Sequence, residues 1–399
     1  MTGMPAFIAT PSPPDLAGVL GELPPEPFSE HFQLCVELVE RYAGDWALAL
    51  AAELALAPAL ADALSASELA ARRGFVPGFV PALQGLLRRL AADGVLAVAG
   101  QDGTGAPRYR AVGPWPSEHR AELRAQGLAT DPGIAPSLEL LDLAGGLYPP
   151  LARGEVRGEQ VLLGAGHVGL WGEYFSNRHP VYAINNVIAA VAALTRAPAG
   201  RFAVLELGAG AGSATEELLA RLEQAGRLGD LTRYEVTEPS TFFRRRAERA
   251  LRSRFPGVPL SFSALDIDLP LDATATAAGE FDLVFAVNVL HVARDLPAAL
   301  ARLRERLAPG GWLVGGECIR LFPGQPIAAE MVFLALEGFV GVELDPERRP
   351  EPGFLTPEVW RRLFTGAGLA PVELVPDLER IRDLYPFFNS GAICGRRPL

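Results

Sequence analysis

The sequence predicts an α/β protein: a Rossmann-like doubly wound sheet preceded by a mainly helical, winged-helix-like lobe. Three observations carry this. From Arg201 onward, short buried-type runs alternate with amphipathic helical runs, which is the rhythm of a parallel sheet with crossover helices. A glycine-rich turn joins the first of these strands to its helix. Upstream of 200, apolar residues instead recur at three- and four-residue spacing. At 399 residues the chain exceeds one ordinary domain of roughly 100–200 residues. We divide it into a proline-rich, poorly ordered leader (1–27), a helical and winged-helix-like lobe with its connector (28–200), and a ligand-binding domain (201–399).

Each element has its signal. Residues 31–90 read as short helices joined by Gly and Pro turns, and SASELAARRG opens on a Ser-x-x-Glu cap, Ser65 to Glu68. A helix over 83–92 stops at Asp93-Gly94, and strands follow at VLAVA and around RYRAV, the outline of a winged helix. Residues 115–200 continue mostly helical, with a Gly-rich interruption, LLGAGHVGLW, that reads as a lid or connector. Then come FAVLELG, ATEELLARLEQAG, YEVTEP, FFRRRAERALRSRF, LSFSALDI, FDLVFAVNV, AALARLRERLAPGG and WLVGGECI, buried strands alternating with amphipathic helices.

Composition bounds the function. Hydrophobic residues at 49% and charged residues at 21% fit a folded globular chain. With 47 acidic residues against 36 basic, the net charge of −11 repels polyanions, so the winged-helix outline is read as an accessory lobe for dimerisation or site closure and no nucleic-acid partner is expected. Cys35, Cys318 and Cys394 show no paired spacing, and the N-terminus shows no signal-peptide pattern. No apolar run reaches membrane-spanning length, so a cytoplasmic location with no membrane partner is expected. The five histidines show no HExxH or facial-triad spacing, and no metal is expected.

The strongest motif is VLELGAGAGSATEELL, with Gly208, Gly210 and Gly212 between a strand and a helix. Glycines there let the backbone turn sharply and approach a ligand, a pattern shared by dinucleotide and S-adenosylmethionine (SAM) sites. Glu206, two residues before the first glycine, would repel a pyrophosphate and suit a cationic sulfonium, which favours SAM as cofactor. Glu238 in YEVTEPS is placed for ribose hydroxyls, Asp266 and Ile267 in SALDID for adenine, and Asn288 for the C-terminal end of the fourth strand of this series.

Five motifs in order, ELGAGAG, TEPS, LDI, FDLVFAVNVLH and LAPGGWLVGGE, make the run 201–318 resemble the class I SAM-dependent methyltransferases. Within that group it is similar to the C-methyltransferase domains of polyketide synthases, through NVLHVARDLPAALARLRERLAPGGWLVGGE and the upstream GEYFSNRHPVYAINN. The resemblance implies a His–Glu catalytic pair, which maps onto His291 and Glu317, and pocket residues Tyr182 and Asn186. It also implies methylation of the α-carbon of a β-keto thioester, free or tethered to a carrier protein, in natural-product biosynthesis; the winged-helix-like lobe separately makes the chain a homodimer candidate. A histidine base oriented by a carboxylate suits removal of an acidic C–H proton. Small-molecule O-methylation, with His167 or His179 as base, and a non-methylating reaction on the same fold are the competing readings. Without the resemblance, Glu317 with Arg320 three residues on reads as an ordinary salt-bridged strand end. The run Arg244, Arg245, Arg246, Arg249, Arg252 and Arg254 reads as a solvated helix face, with docking of an acidic carrier as the other reading.

Overall fold

The computed structural model describes residues 16–270 and 281–399. A hairpin of β1 (Leu96–Gln101) and β2 (Pro107–Ala111) precedes seven strands that share one sheet. These are β3 (Phe202–Leu207), β4 (Leu231–Thr237), β5 (Leu260–Ser263), β6 (Phe281–Val287), β7 (Leu307–Cys318), β8 (Val372–Val375) and β9 (Ser390–Arg396). Their order is β5-β4-β3-β6-β7-β9-β8. The first five are parallel, as expected, and β3, β6 and β7 are buried along most of their length because helices cover both faces.

The far edge departs from the expectation. β9 runs antiparallel to β7 and β8 antiparallel to β9, so the sheet is mostly rather than wholly parallel. VELV is four residues long, and SGAICGR is buried on both faces, so neither offers the alternation by which a strand is recognised in sequence.

The upstream lobe follows its capping chemistry. In the Ala66–Arg73 helix, Ser65 Oγ accepts from the Glu68 N–H and the Glu68 carboxylate accepts from the Ser65 N–H, while Gly74 closes the helix at φ 71°. The Val80–Ala92 helix and the β1–β2 hairpin complete the winged-helix outline. Its basic side chains turn inward: Arg89 pairs with Glu40, and Arg88 with Glu330 and Glu351. That helix therefore presents no arginine row to a groove.

Two hydrophobic cores result. One surrounds the sheet; the other gathers the helical lobe together with Ile327, Met331, Phe339 and Phe354, so the segment after β7 returns to pack against residues from before 200. The leader expectation needs correction over 16–27. Val19, Leu20 and Leu23 are buried against the sheet core, and the Asp377 N–H donates to Val19 O. Residues 1–15 lie outside those described.

Candidate active site

Two cavities meet at the C-terminal end of the parallel strands, where ligands bind in open α/β sheets. The first, about 390 Å³, follows the glycine turn and is walled by Gly208, Gly210, Glu238, Asp266, Ile267 and Asn288. The second, about 450 Å³, lies between the sheet and the helical lobe and is walled largely by aromatic and aliphatic side chains. Phe175, Tyr182, Asp268, Asn288 and Val292 belong to both walls, so the cavities are neighbours across one shared partition.

The glycines divide their work. Gly208, at φ 59°, passes so close to Val289 that a Cβ would lie 2.4 Å from its Cγ2. Gly210, at φ 55°, has nothing within 4 Å of where a Cβ would stand, and it faces the first cavity. Gly212 does not line that cavity, contrary to expectation. It caps the Ser213–Gln224 helix at φ 89°, where a Cβ would press on Leu251 and Ala247 of the neighbouring helix.

Glu238 Oε2 accepts from the Gly210 N–H at 3.0 Å and Oε1 from the Ser240 N–H at 2.8 Å, so the carboxylate is fixed at the cavity wall, with burial raising its pKa. Asp266 is exposed and closes a short turn by accepting from the Asp268 N–H at 2.9 Å. Asn288 sits at φ 54°, unusual for a residue with a Cβ, and its Oδ1 accepts from the Cys318 N–H at 2.9 Å, which locks the ends of β6 and β7 together.

Glu206 also lines the first cavity, and its bonds tie it into the sheet. Oε2 accepts from Thr215 Oγ1 at 2.7 Å and Tyr234 OH at 2.8 Å, and complete burial pushes its pKa up to about 7. It pins β3 to β4 and to the Ser213–Gln224 helix.

In the second cavity, His291 Nδ1 lies 2.5 Å from Glu317 Oε2. Glu317 Oε1 accepts from the Leu290 N–H at 2.8 Å and the Val289 N–H at 3.2 Å. The carboxylate thus serves as an acceptor on every side, so Nδ1 carries the hydrogen and Nε2 is left for the cavity. Arg320 does not pair with Glu317; it pairs with Glu330. Arg349, buried, donates to the backbone carbonyls of His291 and Ala293 and so holds the turn that carries the imidazole. Burial lowers its guanidinium to about 10 against the opposing pull of Asp268 and Glu317. The Phe354 and Phe339 rings stand edge-on to the imidazole at 4.9 and 5.7 Å.

Tyr182 lines both cavities, as Asn288 does, and burial pushes its phenol pKa up. Asn186 lines neither: it donates to Asn177 Oδ1 at 2.8 Å, and Asn177 donates to Ser213 O, a strut behind the glycine turn. Its neighbour Asn185 takes the place in the wall, with Oδ1 buried and unpartnered. His179, a base in the O-methylation reading, is buried with Nε2 on Ser137 Oγ and Nδ1 on Tyr174 O, and desolvation lowers its pKa to about 4. His167 Nδ1 is bonded to Val161 O. His291 is the histidine in the wall of the second cavity. Asn185, Phe175, Val292 and Arg349 were not found from sequence, since each looks like an ordinary helix, core or loop residue until the lobes are brought together.

Residues 205–313 match a family described as a methyltransferase domain. That segment runs from β3 into β7, so the chain carries a methyltransferase domain. Its likenesses extend beyond the matched segment. A reducing polyketide synthase from Preussia isomera, Preu2, is 28% identical over 257 residues, 64% of this chain and 10% of that protein. The methyltransferase thus spans about a tenth of that relative's length. Among solved structures, the CurJ carbon methyltransferase superposes with a TM-score of 0.74 at 22% identity, covering 97% of both chains. The DszA carbon methyltransferase gives 0.69 at 26% identity, covering 92% of this chain and 91% of that one.

The first cavity fits the cofactor this fold implies. The open side of Gly210 leaves the cradle that a Cβ would fill, and Glu238 and Asp266 present acceptors to hydroxyl and amino groups along its wall.

Proposed function

We propose that this methyltransferase transfers a methyl group to the α-carbon of a β-keto thioester of polyketide type, with His291 as general base and Glu317 as its orienting partner. The observation that carries this is His291 in the wall of an apolar cavity, backed by the buried Glu317, with that cavity sharing its partition with the nucleotide cavity. The relative's description as a polyketide synthase and the solved neighbours' as carbon methyltransferases support it.

Bound SAM supplies an electrophilic methyl group on a sulfonium. Gly208 and Gly210 would hold its amino-acid end, Glu238 its ribose, and Asp266 and Ile267 its adenine. His291 Nε2 takes the α-proton of the acceptor while Glu317 holds Nδ1–H, so the imidazolium that forms lies against a carboxylate already fixed by two amides. The acceptor is left as an enolate. Tyr182 and Asn288, on the partition, would orient its oxygens. The apolar wall of Phe333, Phe339 and Phe354 excludes water from that carbon. We read residues 28–200, with the returning 327–354 segment, as the lobe that closes this cavity over a catalytic domain from 201 onward.

The base assignment is tested by solvent deuterium exchange at the α-carbon of a β-ketoacyl thioester, without SAM. The wild type should accelerate exchange above the spontaneous rate and His291→Gln should not. Equal acceleration by His291→Gln would refute the assignment.

A further inference from the structure

His31 and Cys35 lie four residues apart on the Glu30–Glu53 helix and so share one of its faces. The fold brings Asp131 to them from 100 residues along the chain. Asp131 is held by its own turn: Oδ1 caps Pro132–Ile134 by accepting from the Gly133 N–H at 2.7 Å, which aims Oδ2 at His31 Nε2, 2.9 Å away. The Cys35 sulfur lies 3.8 Å from the same nitrogen, and the three donor atoms all fall within 4.8 Å of one another.

Those spacings are near what one tetrahedral ion demands. Zinc bonds of about 2.0–2.3 Å to N, O and S set neighbouring ligand atoms roughly 3.5 Å apart. The thiol is buried, whereas the His31 and Asp131 side chains are 55% and 26% exposed, so the cluster opens to water on one side only. A thiolate and a carboxylate would balance a divalent charge, and a thiol-plus-imidazole donor set selects zinc-like ions over magnesium or calcium.

We propose that His31, Cys35 and Asp131 form a site for a zinc-type divalent cation, with a water molecule as the fourth ligand. On binding, a metal–sulfur bond forms, the Cys35 thiol proton passes to solvent, and no oxidation state changes. The site lies outside both cavities and braces one of them. Val36 and Val39, beside Cys35 on the same helix, line the acceptor cavity, as does Ser137 just beyond the Asp131 turn. A cation held here ties these two walls together. Sequence spacing alone gave no sign of it, because two ligands in one helical turn are common and the third arrives only through the fold.

The test is titration of the chelator-treated full chain with Co²⁺ and then Zn²⁺. One equivalent of Co²⁺ should produce thiolate-to-cobalt charge-transfer absorption, and Zn²⁺ should displace it and raise Tm. Cys35→Ser should lose the band although Cys318 and Cys394 remain. Asp131→Asn and His31→Gln, both at the exposed side, should each weaken Co²⁺ binding by at least ~10-fold, the scale on which even outer-shell partners act. These two keep the test decisive if Cys35→Ser does not fold. Absence of the band in the wild type, its survival in Cys35→Ser, or unchanged affinity in both exposed-side variants would overturn the site.

Discussion

Glu317 is committed on both oxygens, to two amides and to the imidazole, and that commitment sets what each substitution should do. Glu317→Gln keeps the shape but places an NH2 against either the amides or Nδ1–H, so kcat should fall by about 10²–10⁴-fold, the range for a misplaced general base. SAM affinity should be unchanged by calorimetry, and a loss of SAM binding of the same size would contradict the division between the cavities. Glu206 gives a prediction about pH. Its pKa stands at about 7 against 4.5 for the free carboxylate, raised by burial. Between those values the folded chain holds a proton that the unfolded chain has released. This contribution to stability therefore falls as pH rises through the window, at up to about 1.4 kcal/mol per unit. Glu206→Gln should flatten the fall in Tm between about pH 5 and pH 8 relative to the wild type; parallel profiles would contradict the assignment.

Elements show why the glycines are not equivalent. Gly210→Ala puts a methyl into open cavity space at φ 55°, so it should weaken SAM binding by more than it lowers stability. Gly212→Ala drives the methyl toward Leu251 at 3.0 Å and should lower Tm with the smaller effect on SAM affinity. Paired calorimetry and thermal melts check both, and the reverse ordering would refute the assignment. Strands β3, β4 and β6 were legible because each is an apolar run followed by a helix with its own apolar stripe. β8 and β9 were not, being short or buried on both faces, with a long segment between them and β7. The Pro180–Arg196 helix illustrates the limit: Asn185 and Asn186 lie three and four residues from Tyr182, and helical period alone admits both to its face. Only the crossing of that helix over the sheet decides that Asn185 meets the cavity and Asn186 meets Asn177.

At the scale of the molecule, the acceptor cavity exists because the helical lobe and the segment after β7 share a core above the sheet. A buried pair helps to hold that arrangement: Glu40 accepts from Arg89 and, on its other oxygen, from the Ala328 N–H at 2.8 Å. Arg89→Met would leave Glu40 charged and unpaired, and should cost about 3–5 kcal/mol in denaturant unfolding, much of it recovered in the Glu40→Met/Arg89→Met double variant. No recovery in the double variant would mean that the pair does more than neutralise itself. The motifs that fixed the nucleotide cavity lie in contiguous strand-to-helix turns and could be read directly. The acceptor cavity draws on residues from Val36 to Asn389, and its walls are set by packing that no local pattern encodes. Methyl transfer to carbon by way of His291 is the reaction proposed for these two cavities. The direct test is mass spectrometry, with fragmentation, of a reaction containing methyl-labelled SAM and a β-ketoacyl thioester in carrier-bound and small-thioester forms. Label on the α-carbon with the wild type, and none with His291→Ala, is the expected result; label on oxygen, or α-carbon label undiminished in His291→Ala, would contradict it.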